Sequence, residues 1–472
     1  ADTGVGRLPL TPIMHWWREA GGDQTAFTQS MIFPTPAGVP VEWVRQAVQS
    51  LVDQHGTLRM RLRDDELEVA APGAAVELAV DAPTVADLDQ HARELAADVR
   101  LDPCAGEMLR AVFLDPGDGR DGRLLLTVHH FAVDGVSWRL LGPQLADALA
   151  GKEGSAAPGT SFLRWSESLH AEARRPERAE AEPGWWQRAL AGPDARIRTG
   201  PAAEAGARRG VLFIELAEQV TSEALGAVPA AFNCGADAVL LTALVAAAAR
   251  WRGESSDSAR AGAGLLVNLE SHGREVLAGA PDVDVSGAVG WFTTQHPVRL
   301  DPGRAAAEQF WDPSRPEPGD ALKLVKEQLR AVPDAGLGWG LLRYLNPDTA
   351  PTLAALAVPD LSFNYLGRFS GDDAAGGELL GTAEDGAPLR HAVEIDAIAV
   401  DRDGALRLAA AWSYAQDVLT ETEVRRLADL WQEAIGVLAA HAGEEGAGGH
   451  TASDFALVDL SQDQLAMLER GL

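Results

Sequence analysis

His129-His130-Phe131-Ala132-Val133-Asp134-Gly135-Val136-Ser137-Trp138-Arg139 is the stretch on which the reading of this chain turns. It follows the apolar run Leu124 to Val128 without a break. Upstream lies a second apolar run, Ala111 to Leu114, and between the two sits the turn-rich segment Asp115-Pro116-Gly117-Asp118-Gly119. Two apolar runs joined by such a turn read as a β-hairpin whose second strand ends at His129-His130. A histidine that ends a strand just before a glycine turn is expected to project into a cleft. Imidazole titrates near neutral pH, so a cleft histidine can take or give a proton. Asp134 is expected to hold the turn by accepting hydrogen bonds or by pairing with an arginine. Gly135 is expected to supply a backbone angle that other residues resist. The bland alternative is two adjacent histidines without function, and the aspartate and glycine at this spacing argue against it. A metal centre is disfavoured because no third ligand lies at useful spacing, and no CxxC or HExxH pattern occurs.

Working outward, helical periodicity follows Thr84, where Leu88, Ala92, Leu95 and Val99 share a face and Thr84 with Asp87 resembles a capping box. A second helix is predicted from Thr420, with Glu423 three residues on and an apolar stripe of Val424, Leu427, Trp431, Ile435 and Leu438. The segment Ala238 to Ala249 is apolar throughout but too short to span a bilayer, so it reads as a buried helix. Glycine-, alanine- and proline-rich stretches at 151–160, 196–210 and 443–449 read as loops. Strands alternating with amphipathic helices predict a mixed α/β architecture. With 472 residues, two or three domains are expected, and the main boundary is placed near 175–205.

Composition narrows the functional classes. Apolar residues make up 46% and charged residues 23%, so a large core can form. A net charge of −29 repels phosphate backbones and anionic membrane surfaces, which disfavours nucleic-acid and membrane partners. Cys104 and Cys234 cannot build a disulfide framework. The opening residues lack a basic region and an apolar core of signal-peptide type, so a cytoplasmic protein is expected. The chain also reads as a piece excised from something longer.

The central stretch is similar to the HHxxxDG signature of the condensation-domain superfamily, which is related to chloramphenicol acetyltransferase. Its continuation Val136-Ser137-Trp138-Arg139 resembles the epimerization branch found in nonribosomal peptide synthetases. Further segments agree in order. Leu10-Thr11-Pro12-Ile13-Met14-His15-Trp16-Trp17 resembles the opening motif, and Asn268-Leu269-Glu270-Ser271-His272-Gly273-Arg274-Glu275 the EGHGRE segment. Val289-Gly290-Trp291-Phe292-Thr293 matches VGWFT, Gly336 to Tyr344 resembles GxGYGxLRY, and Phe363-Asn364-Tyr365-Leu366-Gly367 matches FNYLG. Ser453-Asp454-Phe455 and Ser461 to Leu465 resemble the closing segments. Departures are Ser271 for a usual Gly, Trp339 for Tyr, Arg368 for Gln, and Ala26-Phe27-Thr28-Gln29 against HFNQ. Gly21-Gly22-Asp23-Gln24 is similar to a carrier attachment motif but has Gln24 where the serine is needed, so the carrier is expected on a separate domain.

The resemblance implies an α/β fold of two chloramphenicol-acetyltransferase-like lobes, arranged as a V with a central active-site tunnel. The N-terminal lobe would cover residues 1–180 and the C-terminal lobe 181–472. The implied activity is that of an isomerase, epimerizing the Cα of an aminoacyl or peptidyl thioester to an L/D mixture by two-base proton transfer. His130 and Glu270 are the implied acid/base pair. By context alone Glu270 is a loop carboxylate just after a strand formed by Leu265 to Val267. Supporting roles fall to His129, Asp134, Gly135, Asn364 and Tyr365. Trp138, Ser271, Arg174 and Arg175 are candidates for substrate or carrier contact, with Arg174, Arg175 and Arg178 forming a small basic cluster. The aromatics Trp16, Trp17, Trp138, Trp291 and Trp339 also suit a core or cleft wall. No cofactor of its own is implied, since the substrate arrives on the 4'-phosphopantetheine of a peptidyl carrier protein, alongside other synthetase modules. The alternatives are a condensation domain forming an amide between two carrier-bound substrates, an inactive recruitment module, and a free-standing acyltransferase.

Overall fold

The computed structural model describes residues 2–83, 85, 87–117, 119–152, 159–193, 195–197, 207–254, 264–303, 308–369, 377–383, 389–402 and 404–455. Thr84, the closing segment Ser461 to Leu465 and most of the loops at 151–160 and 196–210 lie outside them.

Strands of the first part of the chain are β1 (Gly6–Pro9), β2 (Thr28–Thr35), β3 (Met60–Arg63), β4 (Glu66–Val69), β5 (Leu78–Asp81), β6 (Leu109–Leu114) and β7 (Gly122–His129). Those of the second are β8 (Arg209–Glu215), β9 (Leu265–Ser271), β10 (Thr294–Leu300), β11 (Leu361–Phe369), β12 (Glu378–Ala383), β13 (Val393–Arg402) and β14 (Ala405–Ala415). Among the described residues they form a small sheet of order β1-β4-β3 and two large ones, β12-β2-β7-β6-β5 and β10-β9-β11-β13-β14-β8. The architecture is mixed α/β, as the alternation of patterns predicts.

The predicted hairpin is present. β6 and β7 pair antiparallel from Leu109↔Val128 to Leu114↔Arg123, and β7 ends at His129. The predicted helix is present as Glu421–His441 and opens on a capping box, with Thr420 Oγ1 accepting from the Glu423 backbone N–H and the Glu423 carboxylate accepting from Thr420 N–H. Its five stripe residues are buried. Every residue from Ala238 to Ala249 is buried in the helix Ala236–Glu254, because an all-apolar helix has no face to offer water. The earlier helix differs from expectation. It runs Leu88–Ala97 with Asp87 as its N-cap, accepting from Gln90 N–H at 2.9 Å, and Val99 is buried beyond its end.

Two large cores lie on the two large sheets, and the one on the first sheet crosses a cut at residue 180. The helix Pro176–Leu190 runs through that boundary, with Ala173 before it in one core and Trp186 within it in the other. The core under β2 and β7 also takes Val289, Trp291 and Phe292, and later Leu337, Leu341 and Leu345. Strand β12 pairs with β2 from Glu378↔Ile32 to Ala383↔Thr28, so residues of the second part complete the sheet of the first. These crossings bring the end of β7 and the ends of β9 and β11 around a shared space.

Candidate active site

His130 begins a short 3₁₀ turn, His130–Ala132, directly after β7. Its backbone N–H donates to Phe27 O at 2.9 Å. The ring stacks on Phe27 at 4.6 Å and 8°, and Trp291 packs against both rings, tilted, 4.9 Å from the imidazole and 5.2 Å from Phe27. Burial pushes the imidazole down to about 4, so it is neutral near pH 7. Nε2 lies 2.8 Å from the Gln29 amide nitrogen.

His129, its neighbour, has no exposed surface. Its Nε2 donates to Gln24 O at 2.9 Å and its Nδ1 accepts from Phe131 N–H at 3.2 Å. Both ring nitrogens are therefore committed to holding the turn, and burial pushes this ring too down to about 4.

Asp134 caps the helix Gly135–Leu149. One oxygen accepts from Ser137 N–H and Ser137 Oγ, both at 2.7 Å. The carboxylate also pairs with Arg274 at 3.0 and 3.2 Å and accepts from Phe292 N–H at 3.1 Å. Arg274 in turn donates to Val285 O and Ala288 O and stacks 4.0 Å over Phe292. The arginine partner foreseen for Asp134 is thus Arg274. Together they tie the histidine turn to the segment that follows Glu270.

Glu270 lies inside β9 rather than in a loop after it. Along β9, Leu265, Val267 and Leu269 face the core while Leu266, Asn268 and Glu270 face the other way, the alternation of a strand. On the partner strand, Gln295 sits opposite and donates to Glu270 Oε1 at 2.8 Å, while Asn268 Nδ2 donates to Gln295 Oε1 at 3.2 Å. β9 and β11 run parallel, and their pairing stops at Phe363↔Leu269. Glu270 and Asn364 each stand one residue beyond, at the carboxyl ends where diverging parallel strands open a crevice. Asn364 donates to Asp396 Oδ1 at 3.2 Å. Burial, with Asp237 adding to it, pushes the Tyr365 phenol up.

Two adjoining cavities meet here. The first, about 440 Å³, is lined by His130, Gln29, Phe27, Trp16, Trp17, Trp291 and Glu270 among others. The second, about 470 Å³, is lined by Ser271, His272, Asp237, Arg139, Tyr365 and, again, Glu270. Gly135, Glu270, Thr293, Asn364, Leu366 and Phe369 line both. A proton carrier on the histidine turn and a carboxylate on a strand end therefore border one space, which is what a proton transfer across a bound carbon acid needs.

Several expectations need correction. Gly135 does not have a positive φ, and a Cβ there would meet nothing within 4 Å, so what it contributes is open space in the shared wall. Trp138 is buried and lines neither of these two cavities. Its indole donates to Gln29 Oε1 at 2.8 Å. Arg178 is buried among Glu172, Glu182 and Asp334, three carboxylates from two segments, and Arg175 pairs with Glu172 and Glu177. Of the basic cluster, Arg174 alone is exposed. Trp339 packs edge-on against Trp186 at 5.2 Å, outside both cavities, and Arg368 pairs with Asp401 on the surface. Ser271 does line the second cavity. Sequence patterns assign no role to Gln29, Phe27, Arg274 or Gln295. The signals they offer are the polar run Thr28-Gln29-Ser30 opening an otherwise apolar strand and the places of Phe27, Gln29 and Arg274 in the segments set against HFNQ and EGHGRE. Among the described residues, no group of three or more His, Cys, Asp or Glu is placed to hold a metal ion, and no single helix is long and apolar enough to cross a membrane.

Comparison with known proteins bears on the family and the fold. The chain is 34% identical over 490 residues to a linear gramicidin synthase of Brevibacillus parabrevis, covering 97% of this chain and 6% of that protein. It therefore spans a small fraction of the length of the synthase it matches. The epimerization domain from the third module of tyrocidine synthetase B has a TM-score of 0.76 to this chain at 25% identity, covering 93% of this chain and 98% of that one. The condensation domain of the Monacolin K polyketide synthase MokA shares the fold, with a TM-score of 0.68 at 13% identity over 92% of this chain and 98% of that one. The condensation-domain family matches residues 6–456. The chain belongs to the condensation-domain family.

Proposed function

We propose that this domain is an isomerase of nonribosomal peptide synthesis, inverting the Cα of an aminoacyl or peptidyl residue held as a thioester on the phosphopantetheine of a peptidyl carrier protein. The observation that carries the reading is a neutral imidazole and a carboxylate, from two different sheets, bordering one cavity. One group removes the Cα proton, leaving an enolate of the thioester. The other returns a proton to the opposite face, and no net oxidation occurs. Such a reaction uses no cofactor of the domain's own, because both protons travel on side chains. A positioned base supplies roughly 10²- to 10⁴-fold, and donors aimed at the enolate oxygen supply more. The Asn364 amide and the Tyr365 phenol, both on cavity walls, suit that second role. The epimerization domain of tyrocidine synthetase B, at 25% identity and nearly full coverage, supports the same reading.

The test is Cα deuterium incorporation. A carrier loaded with an L-aminoacyl or peptidyl thioester is incubated with the domain in D₂O, hydrolysed, and its enantiomers are separated with mass detection. Deuterated D-product that needs the domain is expected. His130→Ala should lower the exchange rate by roughly 10²-fold or more while the protein still folds. Amide formation on adding an acceptor-loaded carrier, without exchange, would replace this reading with condensation.

A further inference from the structure

Gln29 is the second residue of β2, opposite Val128 on β7, and its side chain bridges two rings. The Trp138 indole N–H can only donate. It donates to Gln29 Oε1 at 2.8 Å, in a buried bond. That contact fixes which end of the amide faces His130. The NH₂ end does, 2.8 Å from His130 Nε2. An amide NH₂ donates and does not accept, so Nε2 must be the acceptor and the single proton of the neutral ring sits on Nδ1. Were Nε2 protonated, two N–H groups would oppose each other at this distance.

We propose that Trp138 and Gln29 form an orientation lock that holds His130 as the neutral Nδ1–H tautomer, with its Nε2 lone pair kept for the cavity, which makes Gln29 a positioning residue. The lock is buried at one end and faces the cavity at the other, so an arriving substrate competes with Gln29 for that lone pair. Phe27 stacks on one face of the ring, and Trp291 packs against it at a tilt from the same side. Other titratable groups near the ring are His129 and Asp134 on its own segment, with Glu270 across the cavity. Arg209, Arg390, His391, Glu394 and Asp396 also line that cavity. Among the described residues, Gln29 is the side chain that hydrogen-bonds the His130 ring, and it selects the tautomer together with the backbone of His130 and Val133, which also bonds the ring. A hydrogen bond to the neutral ring favours that form over the imidazolium, so the lock adds to burial in keeping the ring unprotonated. The catalytic meaning rests on reading His130 as a base in Cα proton transfer, whereas the tautomer does not.

The experiment is histidine-¹⁵N labelling of the whole chain with two-bond ¹H–¹⁵N spectra, the His130 signals being assigned by their loss in His130→Gln. Wild type is expected to show an unprotonated Nε2 and a protonated Nδ1 at neutral pH. Gln29→Glu places an acceptor where the donor was. It should move the proton to Nε2, raise the ring's titration midpoint by about one pH unit or more, and move the acid limb of the exchange rate upward with it. Trp138→Phe frees the amide to turn over, so a smaller rise in the same direction is expected. A wild-type ring carrying its proton on Nε2 overturns the lock, even if neither variant folds. So does a Gln29→Glu ring with unchanged tautomer and titration. If the spectra behave as expected and no substrate exchanges its Cα proton, the lock stands and the epimerase reading falls.

Discussion

His130 and Glu270 border one cavity, but the two regions that hold them differ in kind. The β7 end is an aromatic box. Phe27 and Trp291 pack against the imidazole, and one amide meets its Nε2. The β9 end is an amide ladder, in which Asn268 holds Gln295 and Gln295 holds Glu270. An apolar box favours a neutral ring, whereas the carboxylate is held in place by amide donors. In the proposed exchange one of the two groups takes a proton and the other gives one. The regions are also joined, since Arg274 follows closely on Glu270 and is bonded to Asp134 of the histidine turn.

That joint is where the largest effect is expected. Arg274 and Asp134 are both nearly fully buried. Arg274→Ala leaves the carboxylate buried without its cation, a loss of about 3–5 kcal/mol. It also leaves Val285 O and Ala288 O without their donor. Urea unfolding should show it, and surviving folded protein should have lost exchange along with stability. Full stability in this variant would mean that the two regions are held together elsewhere.

Each region also holds a buried histidine outside the proton transfer, His129 on β7 and His296 on β10. Burial pushes both from 6.5 to about 4. In the unfolded chain they take protons at the higher value, so between the two values the unfolded state binds more protons. Stability therefore falls as pH drops from about 6.5 towards 4, by on the order of 3 kcal/mol for each ring. Unfolding midpoints measured across that window check this, and His296→Gln should remove part of the slope. A flat profile would show that neither ring is desolvated by folding.

Glu270→Gln separates the regions chemically. The amide keeps the shape but cannot take a proton, so exchange on one enantiomer should fall by roughly 10²-fold or more. Starting from L- and D-loaded carriers in turn reads the asymmetry. Equal, undiminished exchange from both would sink the two-base scheme and leave His130 to act with Tyr365 or water.

The two regions are also unequally legible in the sequence. The hairpin, the end of β7 at His129 and the Asp134 cap come from neighbours within a few residues, and turn chemistry reports such contacts directly. Glu270 is a strand residue whose polar face becomes visible only when β10 and β11 are in place. The Gln29–His130 bond spans 101 residues and the Gln29–Trp138 bond 109, distances at which periodicity says nothing. For the same reason no pattern marks β12 as a strand of the other sheet, and Arg178 reads as part of a basic cluster though carboxylates from two segments surround it. Where the resemblance supplies the residue, as with Glu270, it supplies a name but not the amide ladder that holds it.

The smallest effect sharpens the comparison from below. The helix Glu421–His441 packs on the sheet that carries Glu270 and is started by the Thr420 capping box. Thr420→Ala leaves the Glu423 backbone N–H without its cap, a loss of about 1 kcal/mol. The cavity contacts on β9 and β10 are unaffected by that change. Denaturant midpoint should therefore fall while Cα exchange and its pH profile stay at wild-type values. A cap variant that did slow exchange would mean that the amide ladder depends on how firmly its sheet is backed, and the site's two halves would then differ in rigidity as well as in polarity.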